Sequence, residues 1–247
     1  MKRIYSLCLL GLILLSLATS PGFSQKAADI LEKMIEAQGG RKVLEGIKDT
    51  TLSGSAEAMG VSVTITMYKK EPNKIRYDAE AAGIAMTYAF DGEIAWKIDM
   101  GSPTPTEQTG KDAADAKREA QGYAAILHPE KYGITYILKG KEKIEGKDYF
   151  VLEQTIPGDI KTAQYVDTET YLVYKIESSY LNRKGVAAKD ETFMSDYKEV
   201  DGVMIAYSLT IPFEGEEPMK FIITKVSFNT GLDDSLFKMS KKTLPDH

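Results

Sequence analysis

Cysteine is nearly absent. The chain has one, Cys8, among its 247 residues, which excludes an internal disulfide framework and a cysteine-based zinc site. Histidine is as scarce: His128 and His247 are too few for a multi-histidine metal centre, and neither sits in a nucleophile motif. An excess of positive charge is also lacking. The 31 Lys and Arg against 36 Asp and Glu leave a net charge of −5, so no nucleic-acid partner held through its phosphates is expected. There is no phosphate-cradling glycine loop and no Asp-rich calcium loop. No pair of acids stands out as a glycosidase pair would, and the acidic residues read as solvated surface. No catalytic residue, metal or cofactor is therefore expected, and the chain does not read as an enzyme.

What is present is ordinary globular composition, 43% hydrophobic and 27% charged, on a chain long enough to bury a sizeable core. The first 24 residues stand apart. Met1-Lys2-Arg3 is a basic start, an apolar run extends from Ile4 to Ala18, and Gly22-Phe23-Ser24 places small residues at the −3 and −1 positions before Gln25. This is the layout of a secretory signal peptide, shorter in its apolar part than the roughly 20 residues a membrane span needs. Cys8 lies near the start of that run, where a lipidated cysteine would have to end it. Cleavage before Gln25 leaves a cysteine-free mature chain with 29 basic and 36 acidic residues, a charge of −7, suited to an oxidising compartment. The expected organisation is 1–24 as signal peptide and 25–247 as one soluble domain.

The mature part opens with a predicted helix from Lys26 to Gln38, with Ala27, Ile30, Leu31, Met34 and Ile35 at helical spacing and Gly39-Gly40 as its stop. A short second turn is expected at Arg41 to Gly46. The period then changes to two. Val61, Val63, Ile65 and Met67 alternate with polar residues, and Ile75, Tyr77 and Ala79 do the same. Ile84, Met86, Tyr88 and Phe90 share a face, as do Ile94, Trp96 and Ile98. Asp91-Gly92 and Asp201-Gly202 are hairpin signals. Nearly all connections are short, which forces antiparallel neighbours. The fold class is mainly β: a single half-open antiparallel β-barrel of about 11–12 strands, with an N-terminal helix and a helical cover segment.

The cover segment interrupts the alternation between Gly101 and Pro129. Ala113, Ala116, Ala120, Tyr123, Ala124 and Leu127 fall on one helical stripe. An alanine-rich stripe buries little apolar area, so its hold on the sheet is modest. It suits either a movable cover or a fixed helix closing one end of the barrel.

Large, soft residues mark the strand faces. Met67, Tyr77, Met86, Tyr88, Phe90, Trp96, Phe150, Tyr174, Tyr207 and Phe221 are the candidate lining of an inner cavity, the alternative being plain core packing. Lys139, Lys141 and Lys143 share one face of a predicted strand, as the wet side of an edge or as a lipid-headgroup contact.

Several stretches resemble a known family, the LolA-like outer-membrane lipoprotein-sorting proteins. The opening helix ending in Ala37-Gln38-Gly39-Gly40, followed by Leu52-Ser53-Gly54, is one such stretch. Tyr165 to Leu172 is similar to the family's strand–turn–strand segment and Asp196 to Val203 to its late hairpin. Val226 to Asn229 with Leu232 to Phe237 is similar to its ending. The resemblance implies a half-open barrel covered by helices, whose hydrophobic cavity takes acyl chains of lipoproteins or lipids in the periplasm for transport to the outer membrane. It also implies a membrane donor or acceptor protein as partner, and the chain is expected to be a monomer. The alternative carried beside it is a non-enzymatic cell-envelope sensor or scaffold with the same barrel, binding a protein partner.

Overall fold

The computed structural model describes residues 21–58, 60–158, 160–181, 187–212 and 217–239. Cys8, His247 and most of the expected signal segment lie outside these residues. Two helices come first: α1, Pro21–Ala37, and α2, Arg41–Glu45. The five apolar positions expected on the first helix are all buried. Gly39 and Gly40 stop it at φ +126° and +84°, values open to glycine, and the Gly40 N–H closes the last turn on the Ile35 carbonyl at 2.8 Å. A side chain at Gly39 would also run into the Gly202 carbonyl oxygen.

Six strands follow: β1 Asp49–Ala58, β2 Val61–Lys70, β3 Lys74–Ala81, β4 Ile84–Phe90, β5 Ala95–Ile98 and β6 Thr106–Gln108. The helices α3, Gly110–Glu119, and α4, Tyr123–Leu127, come next. Seven strands complete the sheet: β7 Thr135–Ile144, β8 Lys147–Ile156, β9 Ile160–Asp167, β10 Val173–Leu181, β11 Ala187–Val200, β12 Val203–Ile211 and β13 Met219–Phe228. A 3₁₀ turn spans Asp234–Phe237.

All of these strands form one antiparallel sheet of 13, in the order β6-β5-β4-β3-β2-β1-β13-β12-β11-β10-β9-β8-β7. Two meanders are thus joined along β1 and β13. The end strands β6 and β7 do not pair, so the barrel is open, and the chain between them carries α3 and α4 from one edge to the other. The Asp201-Gly202 hairpin forms as expected, both residues taking positive φ (50° and 80°) between β11 and β12. The Asp91-Gly92 signal makes a longer turn instead. The Asp91 carboxylate accepts the N–H groups of Glu93 (2.9 Å) and Ile94 (2.7 Å), which leaves Ile94 outside β5.

The helices all pack on one face of the sheet, the inner face. Ala27, Ile30 and Met34 of α1 meet Leu152, Val166 and Val173. Leu31 and Ile35 join Leu44, Ile47, Leu127 and Val203. Ala116 and Ala120 sit on Ile75, Phe90 and Ala95. Each cluster draws on the apolar half of an alternating strand, which is why the period-two pattern was visible.

The cover segment is broken, unlike the single stripe expected. α3 ends at Glu119 and α4 starts at Tyr123, because the Glu71 carboxylate occupies the space beside Gly122 and accepts the Tyr123 N–H at 2.9 Å. Ala116 and Ala120 are therefore buried in one cluster, while Tyr123 and Leu127 pack in another. The three lysines of β7 also divide. A bulge between Leu138 and Gly140 turns Lys139 to the outer face beside Glu153 (3.7 Å). Lys141 stays over the Phe150 ring at 4.8 Å, on the other side.

The outer face of β3 to β5 is not bare. The chain after β13 straps it: Trp96 Nε1–H donates to the Phe237 carbonyl (2.8 Å) and Arg76 Nη1 to the Leu236 carbonyl (2.8 Å). Lys70 and Lys74 both reach Asp234 at 2.7 Å. Phe237 is fully buried there.

Candidate functional site

Register places the inner-face residues of β1 to β4 and β13 in cross-strand rows. Ile84, Ala81, Val63, Ala56 and Phe221 form the row at one end of the strands, and Leu209 of β12 extends it. Met86, Ala79, Ile65, Gly54 and Ile223 form the next, and Tyr88, Tyr77, Met67, Leu52 and Val226 the third. The fourth is Phe90, Ile75, Lys69, Thr50 and Phe228. The first two rows are wholly apolar, the third adds only the Tyr77 and Tyr88 hydroxyls, and the fourth contains Lys69 and Thr50. The intervening outer-face residues, such as Ser53, Ser55, Thr64, Thr66, Asp78 and Glu80, are mostly polar, so the burial demand falls on the inner side.

The helices cover the third and fourth rows; in the first two, Ala56, Gly54 and Ile223 are still buried, and exposure is confined to the β4 end. Ile84 is 43% exposed and Met86 41%. Between the covered rows and α4 lies a hollow of about 290 Å³. Its apolar wall includes Leu52, Met67, Tyr123, Ile126, Ile205 and Val226, and its polar end Asp49, Lys69, Glu71 and Gln121. A second hollow of about 290 Å³ lies beyond Tyr123 and Glu71, against Leu44, Leu127 and His128. Ligand pockets generally span about 300–1,000 Å³, so each hollow alone is small.

The candidate lining residues do not come together as one wall. Met67 alone of the ten lines the central hollow, joined there by Tyr123 of the cover. Tyr77, Tyr88 and Phe90 share its face but lie under α3. Burial, then the Glu119 charge, pushes the Tyr88 hydroxyl up to about 12 and raises Tyr77 as well, so both stay neutral. Met86 stands exposed in the second row. Phe150 packs under α1, its ring stacked on Tyr171 at 6.0 Å. Tyr207 lies beneath the Lys198 ammonium, 4.6 Å from the ring centroid. The Phe221 ring covers Gly54, where any Cβ would collide with it.

Trp96 and Tyr174 are corrections, since neither faces inward. Trp96 pairs with Ala89 and not with Phe90, and its ring is buried beneath the strap that ends in Phe237. Tyr174 falls in a bulge between Val173 and Lys175 that turns it to the outer face, stacked on Tyr149 at 4.7 Å.

Sequence reasoning missed the polar end. Lys69 continues the alternation of Val63, Ile65 and Met67, and that position was the available signal. Burial pulls its pKa down, opposed by the charges of Glu71 and Glu119. Glu71 is raised by burial against the N–H groups of Tyr123 and Ala124 and the Lys69 charge. Burial raises Glu119 also. Asp49 is pushed up by burial, but the N–H groups of Thr230, Gly231 and Leu232 and the Thr230 hydroxyl outweigh this and hold it below the usual carboxylate range. His128 has Glu45 at 3.9 Å and Glu130 at 4.0 Å. Among the described residues no group of three or more His, Cys, Asp or Glu is placed to hold a metal ion, and no helix is long and apolar enough to cross a membrane.

An open antiparallel sheet with helices laid across a greasy inner face is a known arrangement. A structure of a LolA superfamily protein from Nitrosomonas europaea superposes with a TM-score of 0.57 at 17% identity, covering 86% of this chain and 97% of that one. The fold is LolA-like. A second LolA-like match is a putative outer membrane lipoprotein-sorting protein domain from Vibrio parahaemolyticus, with TM-score 0.56, 17% identity and coverage of 85% and 97%. A DUF1329 family protein from Desulfovibrio piger matches with TM-score 0.60 at 15% identity, over 87% of this chain and 97% of that one. No family model and no curated protein matches the chain. These likenesses describe the LolA-like fold, while the residues of the site are this chain's own.

Proposed function

We propose that residues 1–24 are removed as a signal peptide and that the mature chain, from Gln25, is a monomeric periplasmic carrier. It shelters acyl chains of a lipoprotein or a lipid on its inner face and conveys them toward the outer membrane, between a membrane donor and acceptor. The observation that supports this best is the hollow under α4, walled by Leu52, Met67 and Val226 of one apolar row, with the exposed Met86 and Ile84 on the same face of the sheet. Each methylene buried there is worth about 0.8 kcal/mol, so a chain lying along the rows binds without many polar contacts. The lipoprotein-sorting description of one similar structure agrees with this reading. Binding and release need no chemical step, so the protein is not read as an enzyme.

Organic extraction of the purified mature protein followed by mass spectrometry tests the reading. Acyl species in the extract, with a fluorescence gain from a fatty-acid probe, are expected; an empty extract and a silent probe count against it. The dense packing under α1 favours a second reading, a non-enzymatic envelope sensor or scaffold. A lipid-free protein with a stoichiometric protein partner would select that one.

A further inference from the structure

β12 and β13 are long strands that barely meet. They pair only over 208–211 with 219–222, while β13 pairs with β1 and β12 with β11 along most of their lengths. Among the described residues no strand pairing joins 203–207 of β12 to 223–228 of β13. Both strands are distorted where the junction ends. The β1 register shifts between Ser53 and Gly54, which leaves Thr224 as the extra residue of a bulge in β13. On the other side, β11 departs from regular pairing at Asp196, φ +54°, opposite Tyr207. A bulge bends its strand and increases its twist, so β13 follows β1 away from β12.

The split that results runs beside the hollow under α4, which Ile205 of β12 and Val226 of β13 both line. Its far end is wedged by the link between α1 and β1. The Gln38 carbonyl accepts the Met204 N–H at 3.1 Å, and Leu44 and Ile47 pack with Val203, Phe228 lying beside them. Packed side chains of this kind slide by small amounts, whereas a strand ladder holds its register.

The rest of the molecule divides along the same line. β1 to β6 with β13 carry α3 on Ile75, Phe90 and Ala95, and the strap is held by Lys70, Lys74, Arg76 and Trp96 of that half. β7 to β12 carry α1 on Leu152, Val166 and Val173. α4 reaches across, capped by Glu71 of one half and packed through Leu127 with Leu31 and Ile35 of α1 over the other.

We propose that the two halves are separate bodies that hinge about the four-residue junction of β12 and β13, and that the rotation sets the width of the hollow between Ile205 and Val226. The hinge stands on the strand register; its coupling to a ligand rests on the carrier reading. β6 is the sixth strand beyond β13 and β7 the fifth beyond β12, about 29 and 24 Å along the sheet at about 4.8 Å per strand. A rotation of about 10° therefore moves the two free edges relative to each other by about 4–5 Å.

Pulsed electron resonance distances test this. The chain from Gln25 has no cysteine, so introduced pairs carry the only spin labels. Glu107→Cys with Glu142→Cys spans the free edges. Glu80→Cys with Glu107→Cys and Glu142→Cys with Glu199→Cys each stay within one half, and all four positions are exposed. The edge-to-edge distances are expected to spread over about 4–5 Å more than either control, and to shift when N-phenyl-1-naphthylamine binds while the controls stay fixed. An edge-to-edge distribution as narrow as the controls, or controls equally broad, overturns the hinge. A broad distribution that bound probe leaves unmoved overturns its coupling to the hollow. If the edge pair does not fold, Glu80→Cys with Glu199→Cys spans the junction instead. A probe that gains no fluorescence counts against the carrier reading, and the widths in the probe-free protein then decide the hinge by themselves.

Discussion

The Glu71 carboxylate receives the Tyr123 backbone N–H at 2.9 Å and fills the space in which a side chain on Gly122 would lie. One half-buried acid thus breaks the cover segment into two helices and caps the second.

Burial raises the pKa of Glu71, so its ionised form is penalised in the folded state. A folded pKa above the unfolded one means the native state holds the proton longer, and stability falls as pH rises above about 4.3, the unperturbed Glu value. Glu71→Gln keeps the acceptor oxygen and removes the penalty. It should melt higher than the parent at pH 7, with the difference closing toward pH 4. Thermal melts across that range check this, and a difference that grows on acidification would contradict it.

Asp49 behaves in the opposite sense. Three backbone N–H groups and the Thr230 hydroxyl hold its carboxyl below the usual range, so its stabilising contribution is present above about pH 4 and lost as pH falls through the lower folded value. Asp49→Ala leaves those donors without their acceptor and should cost about 1–3 kcal/mol at pH 7. The loss should shrink below pH 4. Denaturant titrations at pH 7 and pH 3 measure both.

Phe237→Ala opens a cavity beneath the strap on the outer face, and removal of a fully buried ring generally costs about 3–5 kcal/mol. The inner face is untouched, so the folded protein should keep its probe affinity. Chemical unfolding and probe titration on the same sample separate the two effects.

Ala79→Phe makes the complementary change. Ala79 is half-buried on the inner face, paired with Ile65 and the exposed Met86, and a ring there fills apolar space beside the third row without entering a buried cluster. Stability should change by less than about 1 kcal/mol, as for substitutions away from packed features. Affinity for a fatty-acid probe should fall about 10-fold or more, readable by fluorescence titration.

The helix stripe from Ala27 to Ile35 and the inner-face alternation of Val63, Ile65, Met67, Tyr77 and Phe90 were legible, because one-sided burial imposes a simple period. Trp96 was misplaced because both faces of β5 are buried, the outer one by a segment more than 130 residues later in the chain. Tyr174 and Lys139 were misplaced by bulges, which insert a residue and invert everything that period-two reasoning assigns beyond them. Lys69 sat in view as the charged continuation of an apolar series. Its setting depended on the distant Gln121 and Glu119, which only the tertiary structure brings beside it.

Every strand pair but one joins neighbours in the chain; β1 against β13 is the exception, with partners such as Leu52 and Val226. Closing that seam means bringing together segments that the whole cover and both meanders separate, an entropic barrier met once and late. Refolding kinetics should therefore show the two half-sheets gaining structure ahead of the seam, with seam substitutions changing the unfolding rate more than the folding rate.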